Sequence, residues 1–281
     1  MSAIIMDGAA LAKRIKADIR ERMNDHLHIP SLAIIRIGND PASRIYVSGK
    51  IKDCGECGFR SHEFVFDDDI SEDELIKKIE YLNRRENVCG IIVQLPLPVG
   101  INKHRVISRI DPKKDVDCLH PLNAANNILH QGRGPTPCTP TGIIRLLQEY
   151  RIDPAGKRAA VIGRSDIVGI PMTYMLQHAN ATVTICHSHT VDLPEITHQA
   201  DILVSATGKQ GIITADMVKP GAVVIDVGIT RGQDGKLHGD VDFDQVKETA
   251  AYITPVPGGI GPMTRAMLMY NLWKAYRDRL F

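Results

Sequence analysis

Hydrophobic and polar positions along this chain switch repeatedly between the 3.6-residue spacing of helices and short apolar runs of strand length. Leu11, Ile15, Ile19 and Met23 share one face and predict a helix from Gly8 to about Met23. Residues 31–37 form a β-branched run that reads as a buried strand. Asn39-Asp40-Pro41 then signals a turn and a helix start, and Gly58 a stop, which gives a helix over 42–57. A strand over 63–66 follows, and Ser71 with Glu74 three residues on opens another helix as a capping box. A third strand, over 88–93, runs into the proline-stiffened Gln94-Leu95-Pro96-Leu97-Pro98, and a helix over 102–110 comes after it.

Residues 119–140 turn to Asn, Gly and Pro and read as a boundary region. Beyond it a helix over 141–150 leads into a second alternating unit, with strands over 158–162, 182–186, 202–205, 222–227 and 252–254. Residues 263–279, amphipathic through Met263, Met267, Tyr270 and Trp273, form the last helix. Alternation of this kind implies an α/β chain whose parallel sheets carry helices on both faces. A length of 281 residues suits two domains of ordinary size.

Composition narrows the function without naming it. Lys plus Arg total 34 against 33 for Asp plus Glu, a net charge of +1, so the chain lacks the basic balance of a dedicated nucleic-acid binder. The first residues lack a secretory signal, and no apolar run reaches membrane-spanning length; a cytoplasmic protein is expected. Six dispersed cysteines read as reduced thiols.

Two regions carry candidate chemistry. Strand 158–162 runs into Gly163-Arg164-Ser165-Asp166-Ile167-Val168-Gly169, followed by a helix, an arrangement that offers backbone N–H groups and a helix N-terminus to a phosphate. Ser165 stands where the usual fingerprint has its second glycine and Gly169 comes one residue late, so a tight turn in any α/β domain explains the pattern as well. The end of the next strand reads Cys186-His187-Ser188-His189, without the carboxylate that takes a ribose 2′-hydroxyl in NAD sites; Ser188, the imidazoles and Arg164 suit a 2′-phosphate and favour NADP. In the first half, Tyr46 and Lys50 are spaced i, i+4 on a helix that starts at the carboxyl edge of a sheet. Gln94 follows a strand at that edge, and a later loop brings Asp115-Val116-Asp117. An exposed Tyr–Lys pair and an ordinary turn account for these residues equally well by spacing alone.

Taken together, the motifs resemble the bifunctional methylenetetrahydrofolate dehydrogenase/methenyltetrahydrofolate cyclohydrolase family. The matching stretches include Gly38-Asn39-Asp40-Pro41-Ala42-Ser43 with Tyr46-Val47 and Lys50, Gly90-Ile91-Ile92-Val93-Gln94-Leu95-Pro96-Leu97-Pro98 and Lys114-Asp115-Val116-Asp117. Further on are Pro137-Cys138-Thr139-Pro140-Thr141-Gly142, Gly163-Arg164-Ser165, Val224-Ile225-Asp226-Val227-Gly228-Ile229, Gly239-Asp240-Val241-Asp242-Phe243 and Thr254-Pro255-Val256-Pro257-Gly258-Gly259-Ile260-Gly261-Pro262. They span nearly the whole chain in the family's order.

The resemblance implies a three-layer α/β/α catalytic domain (residues 1–136 plus 263–281) and a Rossmann-type NADP-binding domain (137–262), joined by long helices, in a homodimer. It implies that Lys50 and Tyr46 are catalytic with Gln94 tuning Lys50, and that Asp117 holds the pterin. Val93, Leu95, Pro257, Gly258, Gly259, Ile260 and Gly261 would line the folate pocket, and Gly163, Arg164, Ser165, Ser188 and Ile229 would contact NADP. No metal is implied. The chain departs from the family pattern at Cys118 and Leu119, where Gly and an aromatic are common, and at Ala125-Asn126-Asn127, in place of a Gly-containing turn.

Competing readings are a different NADP dehydrogenase acting on a small hydroxy acid, a thiol-redox protein built on Cys54-Gly55-Glu56-Cys57, and a non-enzymatic binding protein. The first leaves Tyr46, Lys50 and Pro257-Gly258-Gly259 without a role. The second places its thiols at a helix C-terminus, the wrong end to activate them. Zinc is a poor fit, because no second Cys or His pair has matching spacing.

Overall fold

A computed structural model describes residues 2–24, 28–132, 134–232 and 234–279. In chain order, β1 (Ile4–Ile5), α1 (Gly8–Met23), β2 (Ser31–Ile37), α2 (Pro41–Cys57), β3 (Arg60–Phe66), α3 (Glu72–Asn83) and β4 (Val88–Val93) come first. Three helices follow: α4 (Lys103–Ile107), α5 (Pro121–Ile128) and α6 (Cys138–Glu149). Then come β5 (Arg158–Ile162), α7 (Gly169–His178), β6 (Thr182–Cys186), α8 (Leu193–His198), β7 (Ile202–Ser205) and, after a 3-10 turn, β8 (Val223–Asp226). The hairpin strands β9 (Thr230–Arg231) and β10 (Leu237–His238) precede α9 (Phe243–Val246), β11 (Tyr252–Ile253) and α10 (Ile260–Arg277).

The local signals act where the sequence places them. Asp40 caps α2 by accepting the Ser43 N–H at 2.7 Å, and Pro41 sits in the first turn, where a missing N–H loses no bond. Gly58 ends α2 at φ 81, a left-handed conformation that glycine adopts without strain. Ser71 and Glu74 form the capping box of α3. Strands β2 and β4 are buried at every position, as expected for parallel strands covered on both faces. Burial of Leu32, Ile34 and Ile35 contributes about 2 kcal/mol each.

The chain divides into two compact units, Met1–Ala12 with Thr139–Thr264 and Lys13–Cys138 with Arg265–Phe281. The second of these holds a parallel sheet of order β3-β2-β4, with an extra bridge from Ile91 to Asp115. The other holds a parallel six-stranded sheet of order β1-β11-β8-β7-β5-β6 and the β9–β10 hairpin. Residues 1–12, grouped by sequence with the first half, fall in the six-stranded unit because β1 pairs with β11. Two residues of strand are too short for a periodicity to show. The division points lie inside α1 and α10 and at the start of α6.

Residues 119–140, read as boundary, contain the helix α5. Pro121 starts it and the His120 imidazole caps it, accepting the Leu122 N–H at 3.1 Å. Ala125-Asn126-Asn127, which stand in place of the resembling family's Gly-containing turn, lie in this helix.

Candidate active site

In each sheet the strand order reverses beside one strand, and the carboxyl ends of the two strands flanking that reversal open a crevice for ligands. In the three-stranded sheet these strands are β2 and β4. Helix α2 leaves β2 on one side, and Gln94 leaves β4 on the other, its N–H donating to the Ile35 carbonyl at 2.8 Å. Lys50 Nζ donates to Gln94 Oε1 at 3.1 Å and lies 3.9 Å from Asp117 Oδ2. Gln94 Nε2 donates to the Leu95 carbonyl at 2.8 Å, which turns its oxygen toward the amine. The Lys50 side chain is 13% exposed and that of Asp117 26%. Tyr46, one turn before Lys50, is exposed. A lysine, an amide and a carboxylate thus meet within one unit, around an amine able to carry a proton, with Tyr46 one turn away on the same helix.

Several supporting residues were given no role by the sequence. Asp115 is buried and accepts the Leu119 and His120 N–H groups and the Asn123 side chain, closing the loop that carries Asp117. Burial pushes the Asp115 carboxyl up from its ordinary range, with these hydrogen bonds opposing the shift. Asn271, buried on α10, donates to the carbonyls of Val116 at 2.9 Å and Thr136 at 2.8 Å. An asparagine among the apolar positions of α10 was the one available clue. Cys118 adopts φ 61, which accounts for the glycine common there in the resembling family.

In the six-stranded sheet the reversal falls between β5 and β7. The turn after β5 needs its glycines. Gly163 has φ 114 and a Cβ there would collide with the Ala206 carbonyl; a Cβ on Gly169 would collide with the Gly163 carbonyl. Gly169 therefore does the work of close helix–strand packing one residue later than the usual fingerprint. Ser165 Oγ accepts the N–H groups of Val168 at 3.2 Å and Gly169 at 3.4 Å, tying down the start of α7. The Gly163 N–H bonds the Cys186 carbonyl at 2.9 Å, so the turn carrying Arg164 adjoins the end of β6, where Ser188 lies. Arg164 and Ser188 are both exposed. The His187 ring nitrogen accepts the His189 N–H at 3.2 Å.

Beyond β8, Asp226 accepts the N–H groups of Gly228, Asp240 and Val241, and Asp240 accepts Ser205 Oγ and the N–H groups of Thr207 and Lys209. These buried carboxylates hold the segment that presents the exposed Ile229, and Gly261 lies against it: a Cβ there would be 3.6 Å from Ile229 Cδ1.

Some expected site residues take other positions. Val93 is buried in the core with Ile35, Leu75 and Val106. Ile260 and Gly261, expected in a loop, form the first turn of α10, and Ile260 is buried; Pro257, Gly258 and Gly259 precede the helix. Both thiols of the Cys54–Cys57 pair are free and buried, and burial pushes each up to about 12, which leaves a redox role without a reactive thiolate.

Comparison with known proteins gives one answer along the whole chain. The family model described as tetrahydrofolate dehydrogenase/cyclohydrolase, catalytic domain, matches residues 6–117, and that for the NAD(P)-binding domain of the same family matches residues 137–280. The chain is 49% identical over 278 residues to the bifunctional protein FolD of Ruminiclostridium cellulolyticum, covering 98% of each. It resembles the solved FolD methylenetetrahydrofolate dehydrogenase/cyclohydrolase of Campylobacter jejuni with TM-score 0.97 and 44% identity, covering 99% of this chain and 100% of that one. The Trypanosoma brucei N5,N10-methylenetetrahydrofolate dehydrogenase-cyclohydrolase, solved with NADP cofactor and inhibitor, matches at TM-score 0.95 and 37% identity over 100% and 99% of the two chains. With both domain models matched in order and about half the residues shared with full-length relatives, the chain belongs to the tetrahydrofolate dehydrogenase/cyclohydrolase family.

Proposed function

We infer that this chain is a bifunctional enzyme that oxidises 5,10-methylenetetrahydrofolate to the 5,10-methenyl form with NADP and hydrolyses that form to 10-formyltetrahydrofolate. The observation that carries this reading is the Lys50 amine held between the Gln94 amide and Asp117 at the carboxyl edge of a parallel sheet, in a member of this family.

The unit with the six-stranded sheet suits NADP. Its glycine turn leaves no room for a Cβ at Gly163 or Gly169, so backbone can approach a pyrophosphate at the positive end of α7. Arg164 and Ser188 lie on adjoining loops, and no carboxylate follows β6 immediately, a combination that favours a 2′-phosphate over a free 2′-hydroxyl. Gly163, Arg164, Ser165, Ser188 and Ile229 are assigned to the cofactor on that basis. When bound, NADP supplies the hydride acceptor.

Hydrolysis falls to the residues of the other unit. Water adds to the cationic methenyl carbon, a C–O bond forms, and Lys50 Nζ takes the proton released; the C–N5 bond then breaks, its electron pair and a proton going to N5 as the hydroxyl gives up its proton and becomes the formyl carbonyl. A lysine serves as base only as the free amine, and Gln94, being neutral, adds no negative charge that would hold the proton on it. Tyr46 orients the amine or the water, and Asp117 accepts an N–H from the pterin. Val93 and Leu95, with Pro257, Gly258, Gly259, Ile260 and Gly261, are assigned to folate on the resemblance. The same resemblance supports folate chemistry in residues 1–136 plus 263–281, NADP binding in 137–262, and a cytoplasmic homodimer serving purine, histidine and methionine biosynthesis.

Following the absorbance of the methenyl compound, with NADP and NAD in parallel, tests both activities. Lys50→Met is expected to abolish methenyl hydrolysis while the fold and NADP binding survive; unchanged hydrolysis in that variant overturns the assignment.

A further inference from the structure

A carboxylate buried in a protein needs hydrogen-bond donors or cations around it, and a buried ion cluster adds little net stability because desolvation offsets much of its attraction. Asp53 is 2% exposed on α2, three residues beyond Lys50. Lys16 Nζ, from α1, lies 2.6 Å from Asp53 Oδ1, and Arg265 Nε, from α10, lies 3.3 Å from Oδ2. Oδ2 accepts no hydrogen bond despite its burial, so its hold on Arg265 is Coulombic. Lys16 also reaches Glu56 Oε2 at 2.5 Å. Burial by itself pulls Lys16 down, but its bonds to Asp53 and Glu56 outweigh burial and leave the ammonium raised above its ordinary value.

Arg265 makes a second contact with α2. Its guanidinium lies against Gly49, so closely that a Cβ there would collide with Nη1. The two cations therefore meet α2 at residues 49, 53 and 56, whose spacings of four and three place them on one face. Lys50 follows Gly49 directly and extends from a neighbouring face to Gln94 and Asp117. Glycine at 49 lets the guanidinium reach the helix backbone, where a side chain would push it away.

We infer that Asp53 is a positioning residue for the Lys50 amine: by binding Lys16 and Arg265 it locks the turn of α2 that carries Lys50 against α1 and α10. This rests on the role proposed for Lys50. Displacement of a reacting group by about 1 Å lowers a rate up to about a hundredfold. Loosening this clamp should therefore act on the hydrolytic kcat and leave NADP binding, in the other unit, alone.

The test uses the full-length enzyme with Asp53→Asn, Arg265→Met, the double variant and Lys50→Met, all assayed well below their melting temperatures. Expected are a loss of about tenfold in kcat for methenyl hydrolysis in each clamp variant, a KM for NADP within about twofold of the parent, and no further loss in the double variant, because both substitutions break one interaction. A wild-type hydrolytic kcat in folded Asp53→Asn or Arg265→Met, with only the melting temperature lowered, overturns the inference, as does a KM for NADP that rises in step with the loss. Should Asp53→Asn fail to fold, Arg265→Met, which alters a partly exposed side chain, decides the matter. Active Lys50→Met would sink the reading of the site itself; inactive Lys50→Met beside fully active clamp variants sinks only the role of Asp53.

Discussion

Lys50 Nζ donates to Gln94 Oε1 at 3.1 Å, and Gln94 faces it that way because its own Nε2 is committed to the Leu95 carbonyl at 2.8 Å. The amine thus has a neutral acceptor on one side and the Asp117 carboxylate, at 3.9 Å, on the other. The neutral partner is the one that tolerates loss of the proton.

Replacing that partner by a charged isostere should expose the chemistry. In Gln94→Glu a carboxylate faces the amine and favours the ammonium. Hydrolysis near neutral pH is expected to fall about tenfold and to recover as the pH rises, because the base then forms only at higher pH. A pH–rate profile of the variant that superimposes on the parent's would remove Gln94 from the mechanism.

Cofactor discrimination should reside in the loop after β5. Arg164→Ala is expected to raise the KM for NADP by about tenfold, the order of one charge-assisted hydrogen bond, with much less effect on NAD. Steady-state kinetics with both cofactors check this; equal effects would take the 2′-phosphate away from Arg164.

Gly169→Ala places a methyl group on the Gly163 carbonyl, a backbone atom that cannot swing aside. A destabilisation of about 2 kcal/mol is expected, with weaker NADP binding because the turn itself shifts. Chemical denaturation and cofactor titration measure the two effects. Wild-type values for both would mean that the close approach is not required.

Asp226 sets a pH dependence of stability. Burial pushes its carboxyl up to about 6, against three backbone N–H groups that favour the charged form. Between the unfolded value of about 4 and this folded value, the native state binds more protons than the unfolded chain, so stability falls as pH rises through that window, by at most about 1.4 kcal/mol per pH unit. Asp226→Asn should flatten the slope while lowering stability at every pH, because the amide nitrogen must face a backbone donor. Denaturation midpoints across this range decide it; an unaltered slope in the variant would place the titration elsewhere.

Much of the architecture was legible in the amino-acid sequence. Strands 31–37, 88–93, 158–162 and 202–205 end where the apolar runs end, since burial on both faces leaves an unmistakable pattern; strand 182–186, at the sheet edge and largely exposed, was legible from its β-branched residues instead. The Asp40 and Ser71 caps and the Gly58 stop were legible because each acts on the backbone within four residues. The family followed from motifs that are short and contiguous.

Other features depend on contacts between distant residues, and no local pattern announces them. β1 exists only because β11, some 248 residues later, supplies its hydrogen bonds; α5 emerged from a stretch that reads as turns. The loop holding Asp117 is set by Asn123 and Asn271, and Val93, apolar at a strand end, went into the core. The sequence by itself determined the alternating α/β order, the glycine turn and the presence of Tyr46, Lys50, Gln94 and Asp117. Only the tertiary structure decided that the Lys50 amine meets Gln94 and Asp117, and that Asp53 lies buried between Lys16 and Arg265. Periodicity records which side of an element faces the core, whereas a distance between two polar atoms is fixed by how separate elements pack.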